Sequence, residues 1–536
     1  MISRTPADAS PPINFVKARA KLLAKCRFKL IIRFQSGFLV NCYFEYLRVT
    51  LSQDLASVRR IGGHLDWIEA VRPVITILQL AERELLLFAA FWFLIGAMDD
   101  VVVDLCWIWL RLTKRACAGF ISREAAEAPL TGRAAVFIAA WQEEQVIGHT
   151  IHHALSVWKQ AEFILYVGCY RNDPATISAA MAGAGSDPRV RVVIHHKAGP
   201  TTKADCLNRL YTALCDDERR YGYRFKSIVL HDSEDMVHPA ELAVIDGAMT
   251  DAEFVQLPVW PEPQPRSPWV GGHYSDEFTE SHAKSLVVRN ALGAAIPAAG
   301  VACGFSRDII ARIAGLRHAE GVPGPFASEC LTEDYELGVL VRREGGRSRF
   351  LRARDADGQL VATRAYFPSR LEDAVRQKTR WIHGIAFQGW DRLGWDQGFA
   401  DFWMALRDRR GPLTAFVLGM GYVLLVVEGV LGIFRLVGWN SQVAISPSLR
   451  IMLLLCFASF LWRAIVRFVF TAREYGMTEG LRAVLRIPVS NIITIMAGRR
   501  ALVRYIKTLR GEAITWDKTR HDVHPAHASS PTGSTR

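Results

Sequence analysis

Ser227-Ile228-Val229-Leu230-His231-Asp232-Ser233-Glu234-Asp235 opens on a short apolar run and passes within a few residues to three carboxylates. A short run of this kind reads as a buried β-strand, and the acidic residues mark where the chain leaves the sheet. Three comparable runs precede it, at residues 134–140 (AAVFIAA), 163–168 (FILYVG) and 190–194 (VRVVI). Helical stretches at 146–160 and 204–215 separate them. Strands alternating with helices predict an α/β domain with a largely parallel sheet over residues 130–370. Ligands of such sheets bind outside the carboxyl ends of the strands, so the polar residues following each strand are the ones to inspect.

The first strand is followed by Trp141-Gln142-Glu143-Glu144, and the second by Tyr170-Arg171-Asn172-Asp173-Pro174. The third leads into Gly199-Pro200-Thr201-Thr202-Lys203-Ala204-Asp205 at a helix start. Each cluster alone is ordinary turn chemistry. Four of them, delivered to one edge of one sheet, mark a site. In extended geometry Asp232 and Glu234 point to the same side, with Asp235 close by. Clustered carboxylates repel one another unless a cation sits among them, and hard oxygen ligands select Mg²⁺ or Mn²⁺. Such an ion neutralises a diphosphate leaving group, and Lys203 offers a second cation for the same task. Further along, Thr332-Glu333-Asp334 opens a helix-like run. Alone, the triplet reads as helix capping. Backbone N–H groups and the helix dipole are expected to hold Asp334 ionised, the state a proton acceptor needs.

Glu143, TKADCLN at 202–208, the DSED cluster with Pro239 beyond it, the TED triplet and Gln377-Lys378-Thr379-Arg380-Trp381 follow one another in this order. The ordered set resembles the membrane-integrated family 2 glycosyltransferases, relatives of the cellulose, chitin and hyaluronan synthases. Finer features resemble the bacteriophage-adsorption protein B subgroup: ELLLFAAFWFLIGAMDD at 84–100, YRNDPAT at 170–176, HDSEDMVHP at 231–239, RWIHGIAFQGW at 380–390 and TWDKT at 515–519.

The resemblance implies a GT-A (Rossmann-like) nucleotide-sugar-binding domain flanked by transmembrane and interfacial helices. It implies inverting, metal-dependent transfer of a sugar to a growing surface or exported glycan. Glu143, Asp173, Lys203 and Asp232 would hold the donor, and Asp232, Glu234 and Asp235 the Mg²⁺ or Mn²⁺. Asp334 would be the general base. Glu333, Gln377, Arg380 and Trp381 would serve the diphosphate and the acceptor end. An indole face suits a sugar ring, and a guanidinium fork suits phosphate. Two departures from the family pattern stand out. The second strand ends in Tyr-Arg-Asn-Asp rather than a paired Asp, and Asp-x-Glu-Asp leaves open whether Glu234 or Asp235 partners Asp232. Residues 300–307 (GVACGFSR) match no phosphate-binding glycine loop and by resemblance line the acceptor side. Longer members of the subgroup carry a further regulatory domain, and none is expected here.

Half of the residues are hydrophobic, 22% are charged and the formal net charge is +12. Many basic residues sit beside apolar runs, such as Arg407, Arg409 and Arg410 before one and Arg463, Arg467 and Arg473 near the end of another. That placement indicates membrane-flanking charge, not nucleic-acid binding. Residues 84–112 are expected to form one transmembrane segment, with a broken hairpin as the alternative, because Asp99, Asp100 and Asp104 must face protein or water there. Residues 413–434 and 451–470 are expected to be transmembrane helices. The link at 437–449 has no Lys or Arg, which puts it outside and the catalytic domain in the cytosol of a multi-pass bacterial inner-membrane protein. Residues 371–400, with the Gln-x-x-Arg-Trp motif, and 485–510 are expected to lie at the interface, since the apolar run 487–496 is too short to span.

Residues 1–83 form a basic region without an assigned role, in which no signal peptide is visible. A single span ahead of the domain would leave this region outside, against its charge. Residues 519–536 read as a disordered tail, and its His521, His524 and His527 are not taken as a metal site. Ten cysteines without a Cys-x-x-Cys pair read as reduced thiols. The expected partners are a nucleotide-sugar donor, a glycan or lipid-linked acceptor, the membrane and an outer-membrane export partner. The rival function is a membrane scaffold or export component that binds a nucleotide sugar without turnover. The intact Asp232, Asp334, Gln377, Arg380 and Trp381 set favours the enzyme, because a binder has no need of a base.

Overall fold

In the computed structural model, which describes residues 67–116, 118–395, 398–436 and 445–512, strand β1 (Ala134–Ala139) has its first five side chains buried. Alternate residues feed two different cores. Val136 and Ile138 pack with Ile147 and Ile151 on one face, while Ala135 and Phe137 pack with Leu207, Leu210 and Ile309 on the other. Covering on both faces is why the strand is apolar throughout instead of alternating. β1 is flanked by β2 (Phe163–Tyr170) and β4 (Ser227–His231), and β3 (Val190–His195) lies beyond β2, all parallel. The seven-stranded sheet continues with β5 (Phe254–Gln256), β6 (Cys303–Ser306) and β7 (Ser348–Phe350), in the order β3-β2-β1-β4-β6-β5-β7. β6 runs antiparallel between β4 and β5, so the sheet is mixed. The chain builds outward from β1 to β3 and then returns to the other side of β1. That reversal opens a crevice outside the carboxyl ends of β1 and β4.

The helices that follow β2 and β3 start on side-chain caps. α1 (Trp67–Leu112) precedes the sheet, and α2 (Ile147–Val157) follows β1. α3 (Pro174–Ala184) is capped by Asp173 with Pro174 in its first turn, and α4 (Lys203–Tyr221) is capped by Thr202. α5 (Gly272–Glu280) continues through a π-helical turn, Ser281–Ser285, into Leu286–Ala291. α6 (Glu333–Arg343) begins at the TED triplet. α7 (Leu371–Ile382) also runs into a π turn, His383–Gln388, and α8 (Phe399–Arg409) follows.

Among the described residues, three helices are long and apolar enough to cross a membrane: Pro73–Leu112 within α1, α9 (Gly411–Leu436) and α10 (Pro447–Tyr475). α1 has 46 residues, about 69 Å at helical rise, over twice a hydrocarbon core of about 30 Å. It passes unbroken through Met98, Asp99 and Asp100, and is not a hairpin. Its carboxylates are matched by protein. Arg410 reaches Asp99 at 2.7 Å and Asp100 at 2.8 Å, Arg407 pairs with both, and Trp403 donates to Asp99 at 2.7 Å. Asp104 accepts from Lys284 and, at 2.7 Å, from Trp462. Apolar length and acidic content are reconciled by these partners.

α11 (Met477–Leu485) and α12 (Ile487–Leu509) form a pair bent by 50°, with Pro488 in the first turn of α12. Arg486, fully buried at the elbow, donates to Asp276 at 2.6 and 2.9 Å and to Glu479 at 2.7 Å. α12 extends well past the apolar run at 487–496. Its continuation carries Ala497, Gly498 and Ala501, small residues that bury against neighbouring helices without raising hydropathy. Ile493 and Ala497 pack with Ala374 and Val375 of α7.

The described chain divides into two units, one of residues up to 85 with 424–444 and the other of 86–423 with 445 onward. In the first, Arg435 pairs with Glu428 at 2.6 Å. The site lies wholly within the second. Expectations for residues 1–66, for 437–444 of the link and for the tail with its histidines and TWDKT lie outside the described residues.

Asp99→Ala should leave Arg407 and Arg410 sharing Asp100 alone and cost on the order of 2 kcal/mol of stability. Thermal unfolding of the purified full chain in detergent measures this, and an unchanged midpoint would mean that the cluster contributes nothing.

Candidate functional site

The crevice outside β1 and β4 opens into a cavity of about 630 Å³. After β1 the chain makes a tight turn in which Gln142 adopts φ +53°, a region that disfavours side chains. Asp173 holds this turn, accepting the Gln142 N–H at 2.6 Å while it also caps α3. Thr176 Oγ1 accepts the Glu143 N–H at 2.9 Å. The turn presents Trp141 and Glu143 to the cavity. Asp173 itself is buried and does not line the cavity, contrary to its expected place among donor ligands. Its carboxylate is spent on two backbone N–H groups.

After β4, Asp232, Glu234 and Asp235 all reach the cavity. Asp235 Oδ2 accepts the Asp232 N–H at 2.9 Å and faces His231 Nδ1 at 3.0 Å. His231 Nε2 lies 2.8 Å from Glu241. Burial disfavours the imidazolium, but Glu241 and Asp235 outweigh it and push the His231 pKa up to about 10. Asp235 is therefore committed to shaping the turn, while Asp232 is ion-paired with Lys203, whose Nζ donates to Asp232 Oδ1. Burial works against the Lys203 ammonium, yet Asp232, Glu333 and Asp334 together raise its pKa. Among the described residues, no three His, Cys, Asp or Glu side chains are arranged to hold a metal by themselves.

The TED triplet enters from above this pair. Thr332 is the N-cap of α6 but makes no side-chain capping bond. Its methyl and hydroxyl instead abut Gly384, where any side chain would collide with them. Gln388 Oε1 accepts the Leu331 N–H at 2.9 Å, so the π turn following α7 holds the loop that carries the triplet. Asp334 Oδ1 accepts the neighbouring Tyr335 N–H at 2.8 Å. Of the helix-start N–H groups expected to hold Asp334 ionised, Tyr335 N–H bonds its carboxylate. Burial raises its pKa, against the pull of Lys203 and the Tyr335 N–H. Glu333 rises to about 8, through burial first and then through Asp334 beside it. Gly300, at φ +77°, passes directly against the Asp334 carboxylate, and a Cβ there would overlap Oδ2.

The remaining walls are helical. α7 contributes Gln377, Arg380 and Trp381. The Gln377 Oε1 is buried without a hydrogen-bond partner among the described residues. The chain from α5 through its π turn contributes Glu277, Ser281, Ser285 and Arg289, and α8 contributes Arg407 and Asp408. On these walls Glu277 pairs with Lys378 at 2.5 Å and Arg289 with Asp408 at 2.8 Å. Arg407 and Arg410, expected as membrane-flanking charges, line the cavity while they clasp Asp99 and Asp100.

Residues 132–384 match the family described as glycosyltransferase-like family 2. The chain carries a family 2 glycosyltransferase domain. It is 31% identical over 468 residues to bacteriophage adsorption protein B of Escherichia coli strain K12, and equally to bacteriophage N4 adsorption protein B of Escherichia coli O157:H7. Each match covers 82% of this chain, which spans 62% of the length of these relatives. Among solved structures, the mannosyltransferase PcManGT from Pyrobaculum calidifontis in complex with GDP-Man and Mn²⁺ aligns 75% of this chain with 98% of its own, at 13% identity and a TM-score of 0.45. Glucosyl-3-phosphoglycerate synthase from Mycobacterium tuberculosis with Mg²⁺ and uridine-diphosphate aligns 51% with 84%, at 18% identity and a TM-score of 0.31.

The family 2 domain thus brings Glu143, Lys203, Asp232, Glu234, Asp235, Glu333, Asp334, Gln377, Arg380 and Trp381 to one cavity and leaves Asp173 behind it. Sequence reading missed Gln388, Arg289 and Asp408. Gly300 was read only as part of an acceptor-side stretch, without its contact to Asp334. Asp408 had no signal, since it sits inside a basic run.

Gly300→Ala should combine backbone strain with displacement of Asp334. Misplacing a reacting group by about 1 Å costs roughly 100-fold, so turnover should drop to about that extent. Steady-state assay of any donor that is turned over, with the neighbouring Ala299→Gly as control, checks this. Equal loss in both variants would show a general effect of the loop instead.

Proposed function

We propose that this protein transfers a sugar from a nucleotide-sugar donor to an acceptor hydroxyl, with inversion, as a membrane-bound enzyme. One observation carries the reading: Asp334, a half-buried carboxylate with a raised pKa, lines the same cavity as the strand-end pair of Lys203 and Asp232. A scaffold that only bound a donor would have no use for a proton acceptor there. The proposed donor floor is Glu143, Lys203, Asp232 and Glu234, with Lys203 placed to meet a diphosphate.

The acid cluster also supports a divalent cation. On the strand-end side six carboxylates (Glu143, Asp232, Glu234, Asp235, Glu333 and Asp334) face two cations, Lys203 and Arg380. Magnesium is commonly held by one or two carboxylates with substrate phosphates completing its shell, so the lack of a three-residue site is no obstacle. Asp232 and Glu234 are the ligands that fit, since Asp235 is tied to His231. Bound there, Mg²⁺ or Mn²⁺ would neutralise charge on the departing diphosphate.

In this reading Asp334 accepts the proton of the attacking hydroxyl as it closes on the anomeric carbon from the face opposite the diphosphate. A carboxyl with a raised pKa suits that work better than a fully acidic one. Gln377, with its buried amide oxygen, takes a hydrogen bond from an acceptor hydroxyl, and Trp381 offers a flat face to a sugar ring. Arg380 has no side-chain hydrogen bond or ion pair among the described residues and is placed for phosphate. The acceptor is a glycan, free or lipid-linked, on the way to the surface or an exported polymer, with an export partner beyond the membrane. The three apolar helices and the uncharged stretch between α9 and α10 support an inner-membrane location with the catalytic domain cytosolic.

Membranes holding the full chain, given a panel of labelled nucleotide sugars, should release nucleoside diphosphate from at least one and retain label in a glycan. Asp334→Asn should reduce transfer by at least about 1,000-fold while donor binding changes little. Binding without turnover of any donor would favour a scaffold instead. Transfer should also stop in chelator and return with Mg²⁺ or Mn²⁺, and full activity in chelator would remove Asp232 and Glu234 from that role. Because the base works deprotonated, kcat should fall as pH drops, with a midpoint above the ordinary carboxylate value of about 4.

A further inference from the structure

Tyr335, next to Asp334, also lines the cavity. Its phenol donates to Asp408 Oδ2 at 2.9 Å, and its backbone N–H donates to Asp334 Oδ1 at 2.8 Å. Asp408 in turn accepts from Arg289 Nη1 at 2.8 and 2.9 Å. Burial and the nearby Asp408 raise the phenol pKa, so it remains a donor at any working pH. On either side of Asp408 along the chain, Arg407 and Arg410 clasp Asp99 and Asp100 of α1. A continuous series of ion pairs and hydrogen bonds therefore leads from an apolar helix, through α8, to the first turn of α6.

That first turn needs an outside hold. Thr332 supplies no side-chain cap, and the loop before it is tethered by Gln388. Glu336 is gripped by Arg392 at 2.7 Å, which steadies the turn from one direction. Tyr335 and Asp408 steady it from the other. Tyr335 is buried, and both oxygens of Asp408 are engaged within the protein.

We propose that Asp408 is a positioning residue: through Tyr335 it sets where the Asp334 carboxylate points, and through its neighbours it ties that position to α1. The inference rests on reading Asp334 as the general base. Neither Tyr335 nor Asp408 takes the proton. Their task is to keep Asp334 Oδ2 between Gly300 and the attacking hydroxyl.

The test is a double-mutant cycle in the full-length protein, using a donor that is turned over. Tyr335→Phe and Asp408→Asn should each lower kcat about tenfold with the donor KM unchanged, and the double variant should be no worse than the poorer single, since both remove one bond. Multiplying losses would overturn the proposal, as would full kcat in Tyr335→Phe. A raised acceptor KM at normal kcat in Asp408→Asn would make Asp408 an acceptor ligand and also overturn it. If Asp408→Asn fails to fold, the kcat and KM of Tyr335→Phe decide alone. The two readings fail differently. Transfer retained in Asp334→Asn removes the general base itself, whereas an inactive Asp334→Asn beside a fully active Tyr335→Phe removes only the anchor.

Discussion

One ammonium, Lys203, stands among Asp232, Glu333 and Asp334, and the geometry of the cavity follows from that imbalance. Carboxylates taken out of water resist ionising together, even with Lys203 and Arg380 both beside them. The outcome is divided. Asp232 takes the ion pair, while Glu333 and Asp334 shift upward. Asp235 is shifted upward too, by burial and by Asp232, although His231 pulls the other way. A site with this charge pattern is receptive to a further cation, and Glu333, pushed up to about 8, can take up a proton near neutral pH.

Topology places the imbalance. Lys203 opens α4, Asp232 follows β4, and Glu143 follows β1, so three separate stretches meet where the chain reverses direction across the sheet. The TED triplet is not on the sheet at all. It is brought there by α6 and held by the π turn that follows α7, with Gly384 allowing the close approach to Thr332. The Gln-x-x-Arg-Trp motif and the TED triplet are therefore one packing unit, although Gln377 comes 43 positions after Asp334 in sequence.

What could be read beforehand divides along the same physical lines. β1 to β4 were legible because strands covered on both faces are continuous apolar runs. β5, β6 and β7 are three or four residues long and carry no such run, so the antiparallel insertion of β6 was hidden. The strand-end carboxylates were visible as a group, but residue type alone could not separate Asp232, which faces the cavity, from Asp173, which caps a helix behind it. The two π turns leave no mark in composition. Asp408 was obscured for a different reason. Its neighbours Arg407, Arg409 and Arg410 look like charges flanking a span, and only the packing reveals that two of them are matched by Asp99 and Asp100.

That matching changes the meaning of acidic residues in the first apolar helix. In isolation, Asp99 and Asp100 are a liability in hydrocarbon, and the simplest remedy is to break the helix there. The protein keeps the helix whole and supplies Arg407, Arg410 and Trp403 from α8 instead. Since Arg407 and Asp408 also line the cavity, α8 is shared between the apolar helix and the site. A helix bound by several charge pairs moves as a unit more readily than it deforms, because breaking one pair leaves a buried charge uncompensated. Any displacement of α1 relative to the sheet would therefore be transmitted through α8 to Tyr335, and the carboxylate beside it would move as well.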